Sequence, residues 1–162
     1  MHSNSRPPAT EHDAVVDAVL SASRVLVSVA ARSLGDAAED VTLAQYRTLV
    51  VLASRGPQTL AALAEALEVT PPTATRMCDR LVRKGLVVRR HGREDRRLVR
   101  LSLAEPGREL VDAVTARRRI EIAGLVAAIP EEQQAGLVDS LQRLSAAAGE
   151  VPEQDWSTGW DL

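Results

Sequence analysis

Two stretches hold most of the residues able to do chemistry. The first, TPPTATRMCDRLVR from Thr70 to Arg83, sets hydroxyls and arginines among apolar residues. The second, HGREDRRLVRLSL from His91 to Leu103, presses five consecutive charges against a run that alternates apolar with polar. Arginine and small hydroxyls at this density point to binding of a polyanion, because the planar guanidinium fork fits phosphate oxygens and the edge of guanine. Charge along the chain agrees. Between Thr70 and Arg100 there are ten Lys or Arg against three acids, a local +7, which leaves ten bases against nineteen acids, or −9, elsewhere in a chain of net charge −2. One basic face on an otherwise acidic body keeps attraction to a polyanion local. Nineteen of the twenty basic residues are Arg, but genomic composition produces the same bias, so it adds little.

Other chemistries find no footing. No pairing of Ser, His, Cys and carboxylate at recognisable spacing suggests catalysis, and no glycine-rich phosphate loop is present, so an enzyme is not expected. His2, His12 and His91 are too scattered to argue for a metal site, and no cofactor is expected. Cys78, the single cysteine, excludes an internal disulfide and lies on an apolar helix face, where it reads as a small core residue. No unbroken apolar run approaches a membrane span, and MHSNSRPPATEHD has no apolar stretch for a signal peptide. The expectation is a cytoplasmic protein with no membrane partner.

Elements must position these residues. At 162 residues, 45% hydrophobic and without Phe, the chain fits one domain with a core of Leu, Val and Ala. After a polar arm, residues 13 to about 34 carry Val15, Val19, Leu26 and Val29 on one helical stripe, with Val16, Leu20 and Val27 beyond it. Such a helix wants more than one partner. Thr42 can cap a second helix that carries Leu43, Tyr46, Leu49, Val50 and Ala53 and ends at Gly56-Pro57. Thr59 can cap a short third with Leu60, Leu63, Ala64 and Leu67. Thr70 can cap a fourth, with Pro71 at the first helical position, running to Gly85. Ala74, Met77, Cys78 and Leu81 fall on its inner face, which leaves Pro72, Thr73, Thr75, Arg76, Asp79, Arg80 and Arg83 on the other sides. Two helices joined by so short a turn form a helix-turn-helix, whose second helix can enter a major groove.

Strands are predicted over Leu86 to Arg90 and Leu98 to Leu103, with Val99, Leu101 and Leu103 on one face. The alternation therefore anchors a hairpin that holds its charged tip away from the body, as a wing. A long helix begins near Glu105 and reaches roughly 35 Å. Pro130 stops it and opens a last helix, with Glu131 and Glu132 in the first turn and Leu137, Leu141 and Leu144 on its face. Long terminal helices flanking a small winged unit cannot all find cover in one chain, which predicts a homodimer built from both ends of the sequence. The expected class is mainly α with a β-hairpin wing. Its parts are an arm (1–12), a helical dimerisation region (13–41 and 105–149), a winged helix-turn-helix (42–104) and a tail (150–162).

The segments TATRMCDRLVRKGLVVRR and REDRRLVRLSLAEPGREL resemble the MarR (multiple-antibiotic-resistance regulator) family of dimeric winged-helix transcription factors. That family's wing signature is Asp, any residue, Arg, five residues and Leu-Thr. Asp95, Arg97 and Leu103 match it, and Ala104 replaces the Thr. Loss of the Thr weakens a helix cap, for which Ser102 or Glu105 can compensate. The resemblance spans about Asp13 to Gly149.

It implies a regulator, most often a repressor, that binds a palindromic operator on double-stranded DNA and releases it when a small-molecule effector or oxidant acts. Half-sites would lie about 10 to 10.5 base pairs apart. Arg97 would enter the minor groove, Asp95 would orient the wing, and Arg80 would pair with Asp95. Thr73, Thr75 and Arg76 would meet bases and phosphates. Pro72, Arg83, Arg93 and Arg96 complete the expected DNA-binding set. Relatives bind effectors where helices one, two and five meet the winged unit, which makes Tyr46 and Arg47 the ligand candidates, although Tyr46 at this spacing also fits a core position. Arg117, Arg118 and Arg119 read as a solvated face or an interface feature. The tail, with both tryptophans, fits either docking on a partner subunit or fraying. The competing function is a winged-helix module that binds an acidic protein with the same surface.

Overall fold

The computed structural model describes residues 10–91 and 99–159. The first helix, α1 (Glu11–Leu34), starts two residues before the expected Asp13 because Thr10 and Asp13 form a reciprocal cap. Asp13 donates its backbone N–H to the Thr10 hydroxyl, and its carboxylate accepts from the Thr10 N–H at 2.8 Å. These bonds satisfy orphan donors of the first turn. Only Val29, Ser33 and Leu34 of this helix are buried, while Val15, Val19, Leu20, Leu26 and Val27 are exposed. The segment Glu11–Ala37 contains an 18-residue window of mean hydropathy 1.7, long and apolar enough to cross a membrane by length and composition. The run is not unbroken, since Asp17, Arg24 and scattered serines interrupt it, but they do not lower its average much, so a test on mean hydropathy passes where one on unbroken runs does not.

The chain turns through a 3-10 segment (Gly35–Glu39) into α2 (Leu43–Arg55), capped by Thr42 and Gln45 as α1 is by Thr10 and Asp13. Helix α2 is the centre of the fold, with every residue from Thr48 to Ala53 buried. Against it pack α3 (Leu60–Ala66) and α4 (Pro71–Arg83). The sheet holds β2 (Val87–His91) and β3 (Val99–Leu103), close to the expected strands, and a two-residue strand that sequence pattern did not predict, β1 (Gln58–Thr59). Strand order is β1-β3-β2, all antiparallel, with Val87 opposite Leu103 and Gln58 opposite Leu101. Two residues offer no alternation to read; only pairing with β3 makes β1 a strand.

Helix α5 (Glu105–Val126) begins where expected, yet neither Ser102 nor Glu105 replaces the missing Thr as a cap, since no side chain caps this terminus. Among the described residues the buried Ser102 hydroxyl has no partner, and the backbone of Ala104 instead donates to the Leu86 carbonyl at 3.0 Å. Gly107 allows that approach, because a Cβ there would collide with the Leu86 carbonyl oxygen. The helix ends four residues short of Pro130, as a residue before proline is disfavoured in helical backbone, and Pro130 becomes the cap of α6 (Glu131–Ala147). No residue of α6 is buried. The core is aliphatic, centred on Leu49, Leu52, Leu63, Leu81, Val111 and Val114.

The described part of the tail is ordered against its own chain. Residues 153–159 form a second 3-10 segment packed on α2 of the same chain, with Trp156 against the core.

Candidate nucleic-acid interface

Helices α3 and α4 are joined through Glu68, whose φ of +53° is a left-handed conformation unusual for a residue with a side chain. The turn closes with the Val69 N–H donating to the Ala64 carbonyl at 3.0 Å. Helix α4 then starts on Pro71 and Pro72, which carry no N–H. Thr73 and Ala74 both donate to the Thr70 carbonyl. The first turn therefore offers few free amides to a phosphate, and recognition falls to side chains. Thr70 stands at the expected cap position, but its hydroxyl meets that of Thr73 at 2.9 Å instead of a backbone N–H. Thr75 donates to the Pro71 carbonyl at 2.9 Å.

Of the predicted inner face, Ala74, Cys78 and Leu81 are each 0% exposed, and Met77 is half-buried at its edge. That orientation puts Arg76, Arg80 and Arg83 outward, with Pro72 exposed and Thr73 and Thr75 half-buried. Among the described residues Arg76 and Arg80 have no ion-pair partner. Burial pushes the Cys78 thiol up from its ordinary value, which fits an inert core cysteine.

Asp79 turns to the side and pairs with Arg89 of β2. This contact, which no local spacing predicts, braces the recognition helix against the wing strand. Strand alternation puts Arg89 on the face of Val87 and Leu101, and puts Arg90 on the opposite face, directly across from Arg100. Arg90 and Arg100 are exposed, and neither was among the residues expected to bind DNA. Alternation through the two strands was the signal that could have found them. Arg93, Asp95, Arg96 and Arg97, and with them the expected Asp95–Arg80 pair, lie outside the described residues.

The ligand candidates are occupied. Tyr46 is 3% exposed, its ring lies 5.6 Å under the Arg118 guanidinium, and burial pushes its phenol above the ordinary value. Arg47 grips Glu150 with both ends of its fork, at 2.8 and 2.5 Å. The three consecutive arginines divide their work. Arg117 donates to the Ser33 and Leu34 carbonyls at the end of α1, Arg118 covers Tyr46, and Arg119 pairs with Glu153 at 3.2 Å. Among the described residues no cluster of His, Cys, Asp and Glu could hold a metal.

Residues 41–99 match the pattern of the MarR family. The chain is 32% identical over 121 residues to the HTH-type transcriptional repressor MdtR of Bacillus subtilis, covering 75% of this chain and 78% of that one. The crystal structure of RV1404 from Mycobacterium tuberculosis is similar at a TM-score of 0.80 and 39% identity, over 90% of this chain and 99% of that one. FabT of Streptococcus pneumoniae, solved in complex with DNA, shares the fold at a TM-score of 0.69 and 24% identity, over 84% and 96% of the two chains.

Proposed function

The chain belongs to the MarR family of DNA-binding transcriptional regulators, and from that premise we propose that it is a repressor that grips a palindromic operator as a homodimer. The observation that carries this reading is that Arg76, Arg80 and Arg83 are exposed on α4, and that the Asp79–Arg89 pair ties this helix to a wing strand whose Arg90 and Arg100 are exposed as well. Recognition by α4 uses Thr73, Thr75 and Arg76 in the major groove. Arg80 and Arg83 then hold phosphates beside it, with Pro72 packing against the groove wall. The wing, through Arg97 with Arg93 and Arg96 nearby and Asp95 orienting them, reaches the adjacent minor groove, where narrow A·T tracts concentrate negative potential.

The dimer follows from the apolar faces left open by α1 and α6. Val15, Leu20, Leu141 and Leu144 are each more than two-fifths exposed in the single chain, and a second copy is the simplest cover for them. A partner helix removes the same apolar surface that gives α1 its membrane-like average, which supports the reading of a cytoplasmic protein. A small-molecule effector fits between α2 and α5, where a cavity of about 320 Å3 is lined by Ala53, Arg108, Val111, Asp112, Thr115, Glu153 and Trp156. Tyr46 and Arg47 flank that region on α2 and transmit its changes through Thr115 and Glu150.

The test is fluorescence anisotropy against the DNA upstream of the gene and against scrambled duplex, over a range of salt. Tight binding to the first that falls steeply with salt supports the operator reading. Arg97→Ala then weakens binding and leaves the sedimenting dimer unchanged. Equal, weak binding to both duplexes would favour the protein-interaction module.

A further inference from the structure

Residues 149–159 turn back along the body of the chain after α6, and their anchors lie on α2 and α5. Arg55 donates to the Gly149 carbonyl at 3.0 Å, Arg47 clamps Glu150, and Arg119 of α5 holds Glu153. Trp156 closes the strap on itself by donating its indole N–H to the Val151 carbonyl at 3.1 Å. The indole stands between three helices. One side borders the cavity walled by Ala53 of α2 and by Val111 and Thr115 of α5. The other borders a groove of about 580 Å3 that Leu141 and Ser145 of α6 line.

This position is the joint of the molecule. Helix α2 carries the reading head, since it packs on α4 and β3, whereas α5 and α6 lead to the uncovered apolar faces. The cavity beside Trp156 means that α2 and α5 do not fill the joint with their own side chains, so the tail fills part of it. We infer that the strap centred on Trp156 is a specificity-determining element: by fixing the angle between α2 and α5 it sets which half-site spacing the dimer accepts. The inference rests on the paired half-site reading above. A single inserted base pair rotates one half-site by about 35°, at 10 to 10.5 base pairs per turn. A stiff joint resists that rotation, and a loosened joint tolerates it at the cost of ordering itself on binding.

The probe is the duplex that the protein enriches from a randomised pool, together with versions carrying one or two base pairs inserted at the centre. The parent protein is Trp160→Phe, in which Trp156 is the sole tryptophan. It is compared with two variants made in it, the double substitution Glu150→Gln with Glu153→Gln, and Trp156→Ala. The near-isosteric glutamines release the strap without cutting the core, and a red shift of Trp156 emission reports that release; Trp156→Ala covers the case in which emission does not move. The parent should lose affinity on insertion, and in the variants that loss should shrink several-fold while sedimentation stays as in the parent; melting stays with it in the glutamine variant and falls in Trp156→Ala, whose indole packs on the core. Spacing discrimination equal to the parent's in both variants overturns the strap and leaves the operator reading standing. No discrimination in the parent overturns the paired half-site reading and the strap with it.

Discussion

Arg90 and Arg100 stand directly opposite each other across the β2–β3 ladder, so the wing holds two like charges at a position where sheets ordinarily place opposite ones. Such a pair costs stability, up to about 1 kcal/mol, in the free protein. A phosphate between the two guanidinium groups reverses the sign. Arg100→Ala should therefore leave the melting temperature equal or slightly raised, while weakening specific and scrambled duplexes alike. The slope of log affinity against log salt should become shallower by about 0.9 for each phosphate that the variant no longer neutralises. An unchanged slope would mean that this pair never meets DNA.

Arg76→Ala is expected to behave differently, because Arg76 projects from the recognition helix and not from the wing. It should cost about 1–3 kcal/mol on the preferred duplex and much less on scrambled DNA. Competition between single-base variants of the preferred duplex is the measurement, and discrimination should fall at one position per half-site.

Gly107→Ala tests the joint between the wing and α5. Alanine is the better helix former by about 1 kcal/mol, yet its Cβ would meet the Leu86 carbonyl oxygen, a backbone atom that cannot swing aside. Overpacking of this kind costs about 1–3 kcal/mol, so the net effect should be a lower midpoint in urea. A rise would show that α5 shifts freely on the wing.

The Arg47–Glu150 pair has a pH signature. The hydrogen bond from Arg47 holds the Glu150 carboxyl below its ordinary value of 4.5. A depressed carboxyl stabilises the fold above that ordinary value and stops doing so as pH falls through the lower one. Both side chains are about a third exposed or more, so the contribution is small, within the roughly 0–1 kcal/mol usual for open pairs. Emission of Trp156 in the Trp160→Phe protein should shift as pH drops below about 4.5, and Glu150→Gln should remove that limb of the titration.

Cys78 should resist alkylation in the native protein, because the thiol is fully buried and burial raises its pKa. Labelling with a maleimide should appear only in denaturant. Rapid native labelling would mean that α4 opens from the core.

Local signals were legible where the residues that make an element also mark it. Thr42, Thr59 and Thr70 announce three helix starts, and Pro71 follows the last; Ala74, Cys78 and Leu81 name the buried face of α4, which fixes Arg76, Arg80 and Arg83 outside. Alternation from Val99 to Leu103 marked the wing strand. The capping box of Thr10 was present in the sequence too, and only the emphasis on the apolar stripe moved the expected start to Asp13.

The helix-turn-helix, the wing and the charge they share were thus written into short spacings, which the backbone geometry of helix or strand converts into a face. Partners that lie far apart along the chain emerged only when the elements packed. Arg117 reaches Ser33 across 84 residues, and Arg47 reaches Glu150 across 103. Strand β1, the Asp79–Arg89 brace and the docking of Trp156 are of the same kind. No periodicity encodes such contacts. They exist because packing around α2 brings distant segments side by side: α5 against the end of α1, α4 against β2, β1 against β3, and the tail against α2 itself.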